Sequence, residues 1–214
     1  MDTNEIKGEA DEIKNQTKDT IDEVKDTIKS TNFKEETKAT TGFVKEILLN
    51  PFEEIRRIAT EENKALGKVI IIVIALIALS LIEGMLSYHS SVKDAFKDVI
   101  MAVLNPIVFI AVYGVLSFVL TKKEERKSLI TTLSTIVITY IPGVIGLVFS
   151  IVNDITKSKL YIIFGVCITV CTIAKYLFRF FAIKYLNNSE DDNETFRKFL
   201  VIEAITAFVV RLIF

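Results

Sequence analysis

The chain has 214 residues, half of them apolar, a formal net charge of −1 and a positive mean hydropathy. So large an apolar share exceeds what one ordinary soluble core absorbs, and the missing cationic excess, with acids outnumbering lysines over residues 1–40, argues against a nucleic-acid partner. Polarity is unevenly placed: residues 1–68 are charged and polar, whereas 69–214 are dominated by Ile, Val, Leu, Phe and Ala, so two parts with two solvents are expected.

Residues 1–45 form a charged extension. Asp11-Glu12-Ile13-Lys14 recurs as Asp22-Glu23-Val24-Lys25 eleven residues later. Ile6, Ala10, Ile13, Thr17, Ile21, Val24 and Ile28 advance by steps of four and three, which places them on one stripe of a helix. Lys7, Lys14, Lys18, Lys25 and Lys29 line one border of that stripe. Three readings fit such a weakly apolar amphipathic helix: a solvated segment, a helix lying on the membrane with lysines reaching outward, or a coil that pairs with a protein partner. The N-terminus lacks the basic, apolar and small-residue regions of a secretory signal, so the first hydrophobic span is expected to direct insertion.

A short helix is predicted within 46–68. Asn50 suits an N-cap, Pro51 the first helical position and Glu53 a capping box. Phe52, Ile55, Ile58 and Ala59 then share a face, which fits either the headgroup layer or packing on cytoplasmic loops.

The remainder, 69–214, reads as an all-α integral membrane bundle of five transmembrane helices. A hydrocarbon core of about 30 Å needs roughly 20 apolar residues in a helix. The runs 69–87, 99–120, 129–152, 160–181 and 199–214 approach that length; the last is short, about 24 Å at the helical rise. Basic residues, which stay on the cytoplasmic side, alternate along the chain. Arg56, Arg57, Lys64 and Lys68 precede the first span; Lys122, Lys123, Arg126 and Lys127 join the second to the third; Lys184, Arg197 and Lys198 join the fourth to the fifth. The opposite loops hold only Lys93 and Lys97, or Lys157 and Lys159. This predicts a cytoplasmic N-terminus and an external C-terminus.

Ionisable residues inside spans are costly in lipid and are expected to pair, face the interior or reach an interface. Depth arithmetic places Glu83 about 21 Å along the first span and Arg211 about 18 Å along the fifth, both in the outer half. Lys175 and Arg179 lie toward the cytoplasmic end of the fourth span, where Glu203 begins the fifth. Two pairings are predicted: Glu83 with Arg211, and Glu203 with Lys175 or Arg179. Pro106 and Pro142-Gly143 interrupt the second and third spans, where proline removes a backbone donor. Broken helices frame binding sites in transporters, with Asn105 and Tyr140 as the polar candidates here.

Signatures of catalysis are missing. His89 is the sole histidine and is predicted in an outer loop, so no histidine-based metal cluster or hydrolytic triad assembles, and no Gly-rich phosphate loop occurs. Cys167 and Cys171 share a helix face and read as small packing residues, and no cofactor is expected.

The arrangement resembles the Yip family of Ypt/Rab-interacting membrane proteins, particularly its bacterial members, over roughly residues 46–214. The likeness rests on Asn50-Pro51-Phe52 with Ile55 and Ile58 ahead of the first span, five closely spaced spans, and Pro142-Gly143 with Gly146 in the third. It implies a non-enzymatic protein of a bacterial plasma membrane that organises other membrane proteins or lipids. Eukaryotic members carry an Asp-Leu-Tyr-Gly-Pro motif that this chain lacks, so no GTPase contact carries over. The alternative reading is a small transporter or permease with its site near the kinked second and third spans.

Overall fold

The computed structural model describes residues 3–61, 65–86, 92–156 and 161–214, and among these the regular elements are all helical. In chain order they are α1 (Thr3–Ser30), α2 (Phe33–Leu49), α3 (Pro51–Thr60), α4 (Leu66–Leu86), α5 (Val92–Leu120), α6 (Leu129–Ile138), α7 (Ile141–Thr156), α8 (Tyr161–Leu186) and α9 (Asp192–Ile213). His89, Lys64, Lys157 and Lys159, assigned above to loops, lie outside the described residues.

Four helical stretches are long and apolar enough to cross a membrane: Leu66–Leu86, Phe96–Leu120, Leu129–Thr156 and Tyr161–Leu186. The segment 199–214, predicted as a fifth span, falls in α9 except for Phe214, its C-cap, and α9 does not join this set because Arg197, Lys198, Glu203 and Arg211 interrupt its apolar run.

The predicted third span is two helices. Its start is set by Ser128, whose hydroxyl accepts the Thr131 N–H at 3.2 Å. Its interruption falls just ahead of Pro142, which has no N–H to give and whose ring excludes the carbonyl four residues back. The turn tightens there, with Thr139 N–H bonded to Ile136 O and Tyr140 N–H to Val137 O. Pro106, by contrast, sits inside an unbroken α5.

α6 is buried along nearly its whole length and forms the axis of the bundle. Its hydroxyls fold back on their own helix: Thr135 Oγ1 donates to Thr131 O at 2.8 Å and Thr132 Oγ1 to Ser128 O at 3.1 Å. The buried Thr131, Thr132 and Thr135 hydroxyls therefore each have a backbone acceptor or a neighbouring hydroxyl. Around it, α4 packs on α5 and α7, α7 on α8, α5 on α9, and α8 on α9.

The principal core gathers at the end of the bundle that meets α2 and α3. Phe43 and Ile47 of α2 and Ile55, Ile58 and Ala59 of α3 are buried with Ile136, Val137, Ala182, Ile183 and Leu186. The short helix of 46–68 is thus a packed part of the bundle, seated on α6 and α8. Asn50 serves as the C-cap of α2 and the N-cap of α3 at once, but its side chain makes no capping bond, unlike the expected capping box. The Asn50 N–H instead closes α2 on Glu46 O, while its carbonyl accepts from Glu54 N–H.

α1 lies against α4 and α6. Val24 packs on Leu66, Ile70 and Ile130, and Gln16 Oε1 accepts the Leu129 N–H, one of the open donors at the start of α6, at 3.0 Å. Glu12 stands 3.7 Å from Arg126 and 3.9 Å from Lys123 in the α5–α6 connection. The face turned inward overlaps the predicted stripe only in part: Ile13 and Val24 of the stripe are partly covered together with Glu12, Gln16 and Thr20 beside it, whereas Ile21 and Ile28 stay exposed. These polar anchors, invisible to an apolar periodicity, set the rotation.

Outward, α8 exposes Ile162, Ile163, Val166, Val170, Ile173 and Leu177 at helical spacing, an apolar stripe of the kind a bilayer solvates. Close helix approach is built in where α4 meets α5. A Cβ on Gly84 would stand 3.1 Å from Val99 Cα and from Ala102 Cβ, whereas one on Gly165 would meet nothing within 4 Å. We expect Gly84→Leu to cost about 1–3 kcal/mol, because backbone rather than a flexible side chain must yield. Gly165→Ala should cost nothing, and denaturant unfolding of both variants in detergent compares them.

Candidate functional site

Opposite the packed core, four helices each turn one stripe toward a common cavity of about 440 Å³. α4 supplies Leu76, Ser80 and Glu83, and α5 supplies Ala102, Asn105, Pro106 and Phe109. α7 contributes Gly143, Gly146 and Ser150, and α8 Ile168, Cys171, Lys175 and Arg179. Spacing by three or four residues, with Asn105 and Pro106 side by side on α5, explains why one face of each helix suffices. Tyr140, in the break between α6 and α7, completes the wall. The volume lies within the range of small-molecule sites.

Arg179 is the anchor at the deep end. Its Nη1 donates to Glu203 Oε1 at 3.1 Å and Oε2 at 3.3 Å, joining α8 to α9. The two side chains are only 3% and 17% exposed. Aromatic rings close around the guanidinium: Phe109 at 4.3 Å, Tyr140 at 4.7 Å, Tyr113 at 5.4 Å and Tyr176 at 5.6 Å from its central carbon. Each ring presents its electron-rich face to the cation, a contact worth about 0.5–2 kcal/mol depending on desolvation. Phe109 and Tyr113 come from one face of α5, four residues apart.

One turn along α8, Lys175 Nζ stands 5.9 Å from the Tyr140 ring and 5.8 Å from that of Tyr176. Among the described residues no salt bridge joins Lys175 to a carboxylate; Glu203 is engaged by Arg179. Glycines make the room. A Cβ on Gly143 would touch Lys175 Cδ at 3.4 Å, and one on Gly146 would stand 3.3 Å from Cys171 Cβ. Neither glycine has a positive φ, so close approach is their role here.

Polar atoms without a protein hydrogen-bond partner concentrate at this deep end: Tyr113 Oη, Tyr140 Oη, Arg179 Nε and, on α9, Thr206 Oγ1 are all buried. Unsatisfied buried groups are few in folded proteins, and a cluster of them marks a place that solvent or a ligand serves.

Of the residues singled out from sequence, Glu83, Asn105, Pro106, Tyr140, Gly143, Lys175 and Arg179 line this one cavity. Pro142 is buried in α7 but is not part of the wall. Glu203 pairs with Arg179. The proposed Glu83–Arg211 pair does not form: Glu83 faces the cavity between α4, α5, α7 and α8, whereas Arg211 is exposed on α9, which packs on α5 and α8. Equal depth did not imply equal azimuth around the bundle. Phe109, Tyr113 and Tyr176 were not foreseen as the box around Arg179, although Phe109–Tyr113 and Lys175–Arg179 each show the four-residue spacing that would have revealed two facing stripes. Cys171 lines the cavity while Cys167 does not, and both thiols are free.

No family model matches this chain, and neither a curated protein nor a solved structure matches it significantly.

Proposed function

We propose that this multi-pass membrane protein binds a small polar solute in the cavity between α4, α5, α7 and α8 and carries it across the bilayer without chemical change. The observation that carries the reading is the convergence of Glu83, Asn105, Tyr140, Lys175 and Arg179 on one cavity among helices of membrane-spanning length. Charged side chains are expensive in hydrocarbon, and a scaffold needs them only in pairs. Here Lys175 is kept beside the cavity with no salt bridge to a carboxylate among the described residues. The filled core at the α2–α3 end and the cavity at the other give a bundle closed on one side, as alternating access requires of a resting state.

In this reading the basic segments around Arg57, Lys123 and Lys184 are cytoplasmic, which puts the cavity in the outer half. α9 serves as a fifth span with an external C-terminus. Support comes from Leu200, Val201, Ile205, Phe208 and Leu212, exposed along α9, and from Arg179, which neutralises Glu203. A bacterial plasma membrane follows only from the likeness to bacterial Yip proteins.

The test is efflux from liposomes holding full-length protein, with entrapped lactate, phosphate, glutamate and choline as probes. At least one solute should leave faster than from protein-free liposomes, and Ser80→Trp, which fills the cavity from α4, should cut that rate about tenfold or more. No flux for any of the four overturns carriage. A second reading, a Yip-like organising role, is supported by the apolar corner that Leu48, Leu49 and Phe52 leave exposed on α2 and α3. A co-purifying protein lost on deleting residues 1–45, together with absent flux, would favour it.

A further inference from the structure

The ligand's charge can be read from the deep end of the cavity, on the reading that the cavity is a binding site. Arg179 is spoken for, since Glu203 neutralises it and four aromatic rings enclose it. Because that cation already occupies the ring faces, no vacant aromatic cage remains for a ligand's ammonium group. Lys175 is different: it lines the cavity, forms no salt bridge with a carboxylate among the described residues, and lies one turn from Arg179. Beside it Tyr140, only 5% exposed, lines the same wall with a hydroxyl near Arg179 whose proton meets no acceptor among the described residues. Glu83 stands farther along α4, seven residues or about 10 Å beyond Leu76.

We propose that this cavity takes a small anion, a carboxylate or phosphate group, held by the Lys175 ammonium and the Tyr140 hydroxyl. An anion supplies at this point both the charge that Lys175 lacks opposite it and the acceptor that the Tyr140 O–H lacks. Such a group can belong to a free solute or to a lipid headgroup. The second source is open to a cavity that lies among helices of membrane-spanning length.

Cys171 is the built-in reporter, one turn from Lys175 on the same stripe. Full-length Cys167→Ser protein in phosphatidylcholine nanodiscs is treated with two methanethiosulfonates of similar size, one carrying a sulfonate and one a trimethylammonium. The sulfonate should modify Cys171 about tenfold faster, a preference retained in Lys175→Arg and lost in Lys175→Gln. Protection by inorganic phosphate or lactate supports the anion and assigns a free solute. Protection only when phosphatidylglycerol replaces phosphatidylcholine supports the anion and assigns a headgroup. Equal rates, or faster labelling by the cationic reagent, overturn the anion while leaving an accessible cavity in place. If neither reagent reacts until the protein is unfolded in dodecyl sulfate, the accessible cavity itself is refuted and this proposal goes with it.

Discussion

Glu203→Gln should destabilise the bundle by about 3–5 kcal/mol, seen as a lower unfolding midpoint in detergent. Among the described residues the carboxylate is the acid that the structure places on Arg179, at 3.1 Å, and the guanidinium side chain is 3% exposed. Removing the acid leaves a buried cation whose desolvation the surrounding rings offset only in part, the costly half of a broken pair. Rings at 4.3–5.6 Å offer polarisable faces but no negative charge. The pair as a whole is a different matter, because attraction and desolvation nearly cancel when both members are present. Arg179→Met with Glu203→Leu should therefore recover most of what Glu203→Gln loses. A double variant as unstable as the single one would show that the loss came from packing between α8 and α9 and not from the orphaned charge.

The second large effect is expected in α3, far from any charge. Ile55 is 0% exposed, enclosed where α3 meets α6 and α8. Ile55→Ala should cost about 2–5 kcal/mol as lost transfer energy plus a cavity, and Ile55→Asp more, since the carboxylate would enter a site with no partner for it. Phe52, 44% exposed although its ring lies 4.1 Å from that of Phe181, should matter less when replaced by alanine. A helix merely resting in the headgroup layer would show the opposite order, because Phe52 is its largest apolar group. Unfolding midpoints of the two alanine variants, with protease cleavage near residue 61 as a local readout, decide between these.

Both expectations turn on which neighbours a helix has, and that is where reading the chain by itself stopped. The membrane-length apolar stretches at 69–87, 99–120, 129–152 and 160–181 were legible because hydropathy is a local sum, and the break before Pro142 because proline's missing donor is a property of the residue. The charged groups of the cavity wall were also in view: Glu83, Lys175 and Arg179, with Asn105, stand out as polar groups in apolar surroundings. Their union in one place was not in view. Rise per residue gives depth, so Glu203 could be matched to the level of Lys175 and Arg179; it gives no angle about the bundle axis, so Glu83 was matched to an Arg211 that faces elsewhere.

The amino-acid order by itself determined a helical, lipid-adapted chain with its helix breaks and its few costly charges, since each of these depends on residues within a turn or two of one another. Tertiary packing alone decided that Arg179 and not Lys175 holds Glu203, that α1 turns Gln16 and Val24 inward, and that four polar stripes enclose a common space. Those outcomes depend on the relative rotation of helices far apart in the chain, and rotation is set by the fit of side chains across their interfaces, which no local periodicity encodes.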